Sequence, residues 1–123
     1  MHRRFLLWSS AAFLPVVYAL AIADHPLALV YFASFLVTSA YHHSNESRWR
    51  TLDHFLAWAV IASNCYLAVR SAHPGWTLAG VALVLAALPF YRGARIGRYN
   101  LRHGWWHLLS GAACWCFARG MLG

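Results

Sequence analysis

The chain has 123 residues, of which 61% are hydrophobic and only 11% are charged. This composition excludes an ordinary soluble domain, because such domains carry about 25% charged residues. The net charge of +7 comes from ten arginines against Asp24, Glu46 and Asp53. Because the arginines lie at the ends of apolar runs, we interpret them as topology signals and lipid headgroup contacts, and we exclude nucleic acid as a partner.

Five apolar segments follow one another along the chain, each close to the ~20 residues that a helix needs to cross a bilayer. Their bounds are 5–23, 26–43, 52–69, 76–91 and 101–118. The first is interpreted as a retained transmembrane helix, because no signal-peptide cleavage site stands out. The fourth is the shortest and contains Pro89. We therefore predict an all-α membrane protein with five transmembrane helices, forming a single transmembrane domain over residues 1–123.

The distribution of arginine predicts the orientation of these helices. With five spans, eight arginines fall on the side of the N-terminus, namely Arg3, Arg4, Arg48, Arg50, Arg92, Arg95, Arg98 and Arg102. Only Arg70 and Arg119 fall on the other side. By the positive-inside rule the N-terminus is cytoplasmic and the C-terminus lies outside. We expect an integral protein of the bacterial inner (cytoplasmic) membrane.

Polar residues that are unusual in a membrane collect at the cytoplasmic ends of three segments. They are Ser39, His42 and His43 in the second segment, Asp53 and His54 in the third, and His103 and His107 in the fifth. Ionisable side chains inside a membrane are costly and therefore indicate function by default. The charge-based topology places all of them at the same depth, so we expect them to form one site near the cytoplasmic face.

His103 and His107 are four residues apart, so one helix face carries both imidazoles. A third imidazole would complete a ligand set that suits zinc and would leave a fourth position for water. Zinc lowers the pKa of bound water to about 7 and so makes it a nucleophile at neutral pH. Asp53 would orient this water or act as general base and then general acid. Ser39 would hydrogen-bond Asp53 or polarise the carbonyl of a substrate.

Two histidines compete for the third ligand position. His42 and His43 are adjacent and point about 100° apart on a helix, so only one of them is expected to bind the metal. We choose His43, because Ser39 lies four residues before it on the same face. His42 keeps the same spacing to Thr38 and is the alternative ligand.

Simpler explanations exist for each part of this set. The His103 and His107 pair could bond lipid headgroups beside the neighbouring tryptophans. Asp53 could be a first-turn acid that the helix dipole favours, and Ser39 could be a small residue for helix packing. Haem ligation would need axial histidines on facing helices deep in the membrane, and the sequence suggests no such pair.

The ordered set resembles the CREST superfamily of membrane proteins. This group includes the alkaline ceramidases, the adiponectin and progestin receptors with the haemolysin-III-like proteins, and the myomaker-like proteins. Its pattern is a Ser with a His four residues later, an Asp at the start of the next helix, and a His-x-x-x-His near the start of the last. The matching residues are Ser39-Ala-Tyr-His-His43, Asp53 and His103-Gly-Trp-Trp-His107. Residues 30–44 are most similar to the myomaker-like branch.

The resemblance implies zinc held by His43, His103 and His107, with Asp53 holding the zinc-bound water and Ser39 beside it. It further implies a zinc-dependent intramembrane hydrolase of a lipid amide or ester, ceramidase-like or lipase-like, with a membrane lipid as substrate. The family core has seven transmembrane helices, so five would be a reduced version, whose missing chamber wall a homodimer could supply. The alternative function is a non-catalytic, zinc-stabilised scaffold or receptor-like protein that binds lipid or a protein partner.

Overall fold

The structure is a computed structural model that describes the backbone of residues 2–44, 46–93 and 99–123, and the side chains of 4–44, 46–91 and 101–123. Within these ranges the chain is helical and has no strands, which confirms the all-α prediction. The elements are α1 (His2–Ser9), a 3₁₀ turn (Ser10–Phe13), α2 (Leu14–Ile22), α3 (Leu27–Ser44), α4 (Ser47–Val69), α5 (Pro74–Gly93) and α6 (Tyr99–Leu122). Arg95 and Arg98, which entered the orientation argument, lie outside the described residues.

The helices α1 and α2 and the 3₁₀ turn between them form one continuous rod, which we call the first rod. The 3₁₀ turn ends two residues before Pro15, whose ring removes the N–H that would bond the carbonyl of Ala11 in an α-helix. The chain leaves this rod at Asp24, which has a left-handed backbone (φ 53°). Pro26 then prevents the helix from continuing. With the first rod counted once, each of the five apolar segments corresponds to one helix.

Three helices in the described part of the chain are long and apolar enough to cross a membrane, which indicates a membrane protein. They are Arg4–Ile22, Ser47–Val69 and Pro74–Tyr91. The helices α3 and α6 are not among them. These two helices carry His42, His103 and His107, and such polar side chains lower the hydropathy of the helices that contain them.

The central helix of the bundle is α6, which packs against the first rod, α4 and α5. The helix α3 packs on α4 and on the first rod. Ten side chains from four of the five helices form the buried core: Phe13, Val16, Leu20, Tyr31, Val60, Leu67, Ala113, Cys114, Phe117 and Ala118. In α6 these residues lie beyond the histidines, so the core occupies one part of the bundle and the histidines lie at its other end. That end is where α3 finishes and where α4 and α6 begin.

A chain of polar contacts joins three helices inside this core. The hydroxyl of Tyr31, which is fully buried, donates to Oδ1 of Asn64 at 2.5 Å. The amide nitrogen of Asn64 in turn donates to Sγ of Cys114 at 3.4 Å. Hydrogen bonds of this kind hold helices together where no water competes. These contacts fix the relative positions of α3, α4 and α6 in the core, on the side of the bundle away from the end that carries the histidines.

Candidate metal centre

Three histidines from two helices meet at the end of the bundle. His42, His103 and His107 each offer one ring nitrogen, and these three nitrogens lie within 4.8 Å of one another. The ring centroids are 4.9 Å apart for His42 and His103, 5.0 Å for His42 and His107, and 4.6 Å for His103 and His107. His107 is buried and the other two are half-buried. The prediction that distant parts of the chain bring histidines together is therefore confirmed.

The positions of His103 and His107 follow from the geometry of α6 and from the way α1 packs on it. The two side chains are one helical turn apart and point from the same face. Gly104 lies between them in sequence, and a Cβ there would overlap the ring of Phe5 in α1. The absence of a side chain at this position lets α1 pack closely against the start of α6. The first rod thus covers the base of the histidine cluster.

The third histidine of the cluster is His42, the alternative ligand of the sequence analysis, and the side chain of His43 is exposed. The reason lies in the rotation of α3 about its axis. Its buried side chains are Tyr31, Ser34 and Thr38, which follow one another at helical spacing, and His42 continues that face by one further turn. His43 lies about 100° away from this face.

The signal that favours the His42 register was present in the sequence. The face that ends in His42 carries Ser34 and Thr38 at the two preceding four-residue steps, whereas the face that ends in His43 carries Phe35 and Ser39. The first face is polar over a longer stretch, and polar faces of membrane helices turn toward the protein interior. The residues four positions before His42 and His43 are both polar and do not distinguish the two faces. The residues eight positions before them, Ser34 and Phe35, do.

Asp53 lies beside the cluster, where α4 passes the end of α3. The hydroxyl of Thr38 donates a hydrogen bond to its Oδ1, and the carboxylate interacts electrostatically with His42. The bond that was expected from Ser39 therefore comes from Thr38, for the same rotational reason that places His42 in the cluster.

Ser39 instead contacts the first rod. Its Oγ lies 3.0 Å from Oγ of Ser10, which itself donates to the carbonyl of Leu7, so the Ser39 hydroxyl is the donor. The catalytic role of Ser39 stays a prediction. His54, which was grouped with these residues in sequence, is exposed and is not part of the cluster.

A residue that the sequence analysis did not consider contacts the cluster directly. Oγ of Ser9 lies 2.9 Å from Nδ1 of His107, and it also donates to the carbonyl of Leu6 at 2.7 Å. Adjacent serines in an otherwise apolar stretch are the only sequence signal for this contact. Which helix they would face could not be read from spacing, because their partners lie in distant segments.

The donor set fits a zinc ion. Imidazole nitrogens are common zinc ligands, and three of them with one open position form the usual arrangement of a catalytic zinc site. Nε2 of His42 is buried without a hydrogen-bond partner among the described residues, and buried polar atoms are normally satisfied.

Comparison with protein-family models, with curated proteins and with solved structures found no match to this chain. The resemblance to the CREST superfamily accordingly stays a prediction that rests on the ordered motifs. The case for a site rests on the geometry of the three histidines and Asp53.

Proposed function

We propose that the chain spans the cytoplasmic membrane five times, with its N-terminus in the cytoplasm and its C-terminus outside. The excess of arginine on the N-terminal side supports this orientation. The observed meeting of the end of α3 with the starts of α4 and α6 agrees with it, because five alternating spans bring these ends to one side. The histidine cluster then lies toward the cytoplasmic face.

We further propose that this site holds zinc through His42, His103 and His107 and hydrolyses an amide or ester bond in a membrane lipid. The observation that carries the proposal is the convergence of three imidazole nitrogens within 4.8 Å, with the Asp53 carboxylate interacting electrostatically with one of them, His42. A zinc ion at this site would supply a Lewis acid and an activated water at neutral pH. The site lacks only a proton acceptor, and Asp53 is suited to that role.

Asp53 would accept a proton from the attacking water and return it to the leaving amine or alcohol. Its position supports this role, because the carboxylate is half-buried and the hydroxyl of Thr38 holds one of its oxygens. A carboxylate with a fixed orientation is a better proton acceptor than one that rotates freely. Thr38 is therefore assigned as the residue that positions Asp53.

The surroundings of the site support a lipid as the substrate. Phe55 and Trp58, which follow Asp53 on α4, are 70% and 72% exposed. Apolar side chains with this exposure face hydrocarbon in a membrane-spanning helix, so acyl chains can lie along α4 close to the depth of Asp53. A lipid lying along α4 would thus present its polar head, and the amide or ester bond below it, at the depth of the histidines.

The test uses the full-length protein purified in detergent. We expect about one zinc per chain by elemental analysis and release of fatty acid from a short-chain ceramide or a glycerolipid. Asp53→Asn should keep the zinc and lower kcat by ~10²–10⁴-fold, which is the usual contribution of general acid–base catalysis. Glu46→Gln is the matched control, because Glu46 is an exposed acid that pairs with Arg48 and is not part of the histidine cluster.

The outcomes separate the two halves of the proposal. A protein that binds no zinc contradicts the metal site. A protein that binds zinc but cleaves neither lipid contradicts the hydrolase and favours the non-catalytic scaffold. Equal activity in Asp53→Asn and Glu46→Gln would contradict the role given to Asp53.

A further inference from the structure

We propose that Ser9 positions His107 for metal binding, by accepting a hydrogen bond from Nδ1–H and thereby leaving Nε2 as the ligand atom. This inference rests on the metal site proposed above, but not on the hydrolase activity. It assigns a role to a side chain of the first rod, which contributes none of the three histidines of the cluster.

The direction of the hydrogen bond follows from counting protons. A serine hydroxyl has one hydrogen, and that of Ser9 points to the carbonyl of Leu6 at 2.7 Å. The 2.9 Å contact between Ser9 Oγ and His107 Nδ1 therefore needs its hydrogen from the imidazole. A neutral imidazole carries one N–H, so a proton on Nδ1 leaves a lone pair on Nε2. A metal needs that lone pair.

The contact is enclosed by the protein. Ser9 is 2% exposed and His107 is 4% exposed, so water does not compete for either group. A histidine that binds a metal usually donates its other ring N–H to a carboxylate, a carbonyl or water, which fixes the orientation of the ring. Here the Ser9 hydroxyl occupies that position, and the carbonyl of Leu6 holds the hydroxyl in turn.

The neighbouring Ser10 provides a natural comparison. It is also 2% exposed, its hydroxyl also donates to a carbonyl three residues back (Leu7, 3.0 Å), and it also contacts another helix. Its partner there is Ser39 at 3.0 Å and not a histidine. Ser9→Ala and Ser10→Ala thus remove the same group from adjacent buried positions, and only the first removes a contact to the cluster.

The first measurement needs no metal. The tautomer of His107 is read from the ¹⁵N chemical shifts of the imidazole nitrogens in metal-free, ¹⁵N-histidine-labelled protein, with the His107→Gln spectrum for assignment. We expect the Nδ1–H tautomer at His107. The Nε2–H tautomer in the wild-type protein would overturn the proposal, whatever the protein catalyses.

The second measurement is the zinc dissociation constant, obtained by competition with a chelator. Ser9→Ala should weaken zinc binding by ~10–100-fold, the usual effect of losing a hydrogen-bond partner of a metal ligand. Ser10→Ala should stay within about twofold of the wild type, because it contacts no ligand. Equal losses in the two variants, or no loss in Ser9→Ala, would overturn the proposal. Absence of lipid hydrolysis in a protein that binds zinc would contradict the proposed activity alone.

Discussion

Gly111 of α6 lies directly against the backbone of Ala12 in the first rod, one helical turn beyond His107. A Cβ at this glycine would overlap the carbonyl oxygen of Ala12. Because that atom belongs to the backbone, no side-chain rotation can relieve the overlap. The contact between the first rod and α6, and with it the bond between Ser9 and His107, depends on the absence of a side chain at this position.

Gly111→Ala should therefore destabilise the protein by about 1–3 kcal/mol, the usual cost of forcing extra volume into a packed core. Thermal or denaturant unfolding in detergent measures the effect. Gly75→Ala is the control, because a Cβ at Gly75 meets no atom within 4 Å. There the change should be neutral or stabilise by up to ~1 kcal/mol, since alanine restricts the unfolded chain. Equal stability of the two variants would contradict the close contact.

The two adjacent histidines of α3 should differ sharply in their effect on metal binding. His42→Ala removes one of three imidazoles that would bind the metal directly. It should therefore weaken zinc binding by more than ~10–100-fold, the usual effect of losing a hydrogen-bond partner of a metal ligand. His43→Ala removes an exposed side chain outside the cluster and should leave zinc affinity within about twofold. The comparison is made by chelator competition. If zinc affinity fell more in His43→Ala than in His42→Ala, α3 would have to be rotated so that His43, and not His42, faces the other two histidines.

Thr38→Val tests whether the threonine hydroxyl orients Asp53. Valine keeps the shape of the side chain and removes the donor, so zinc should stay bound while kcat falls about tenfold, part of the contribution of acid–base catalysis. Thr51→Val is the control, because the Thr51 hydroxyl is exposed and contacts only the Ser47 carbonyl among the described residues. Steady-state kinetics with zinc analysis decides the question. If both variants behave alike, Thr38 does not position the carboxylate.

The buried polar contacts below the histidines should contribute to stability. Tyr31→Phe removes the hydroxyl that donates to Asn64 and should cost about 1 kcal/mol, in the range measured for interhelical hydrogen bonds in membrane proteins. Tyr18→Phe is the matched control, because Tyr18 is 71% exposed. Unfolding of the two variants in the same detergent provides the comparison. A cost no larger at Tyr31 than at Tyr18 would show that the buried bond contributes nothing.

Much of the architecture was predictable because the relevant signals are local. Runs of apolar residues predict helices, and Pro15 and Pro26 mark where the first rod is distorted and where the next helix begins. The four-residue spacing of His103 and His107 places both rings on one face in any helix. None of these conclusions depends on which helices are neighbours.

The rotation of α3 was not predictable from one step of spacing, since Ser39 with His43 and Thr38 with His42 fit a helix equally well. The contacts of Ser9 and Ser10 were not predictable either, because their partners lie in α6 and α3, far along the chain. Nothing local indicates which face of the first rod turns toward α6. Which face of the first rod contacts α6 is determined by close packing between the two, for example that of Gly111 against Ala12.

The sequence by itself determined an all-helical, strongly apolar chain with a histidine pair on one helix face and a further histidine, an aspartate and their hydroxyl neighbours at matching helix ends. Helical periodicity and hydropathy depend only on neighbouring residues, so they could be read without a fold. The tertiary structure selected His42 over His43, a choice that the polar face through Ser34 and Thr38 already favoured, and it alone decided that Thr38 holds Asp53 and that Ser9 contacts His107. These contacts depend on the rotation and close approach of whole helices, which packing over their full length determines.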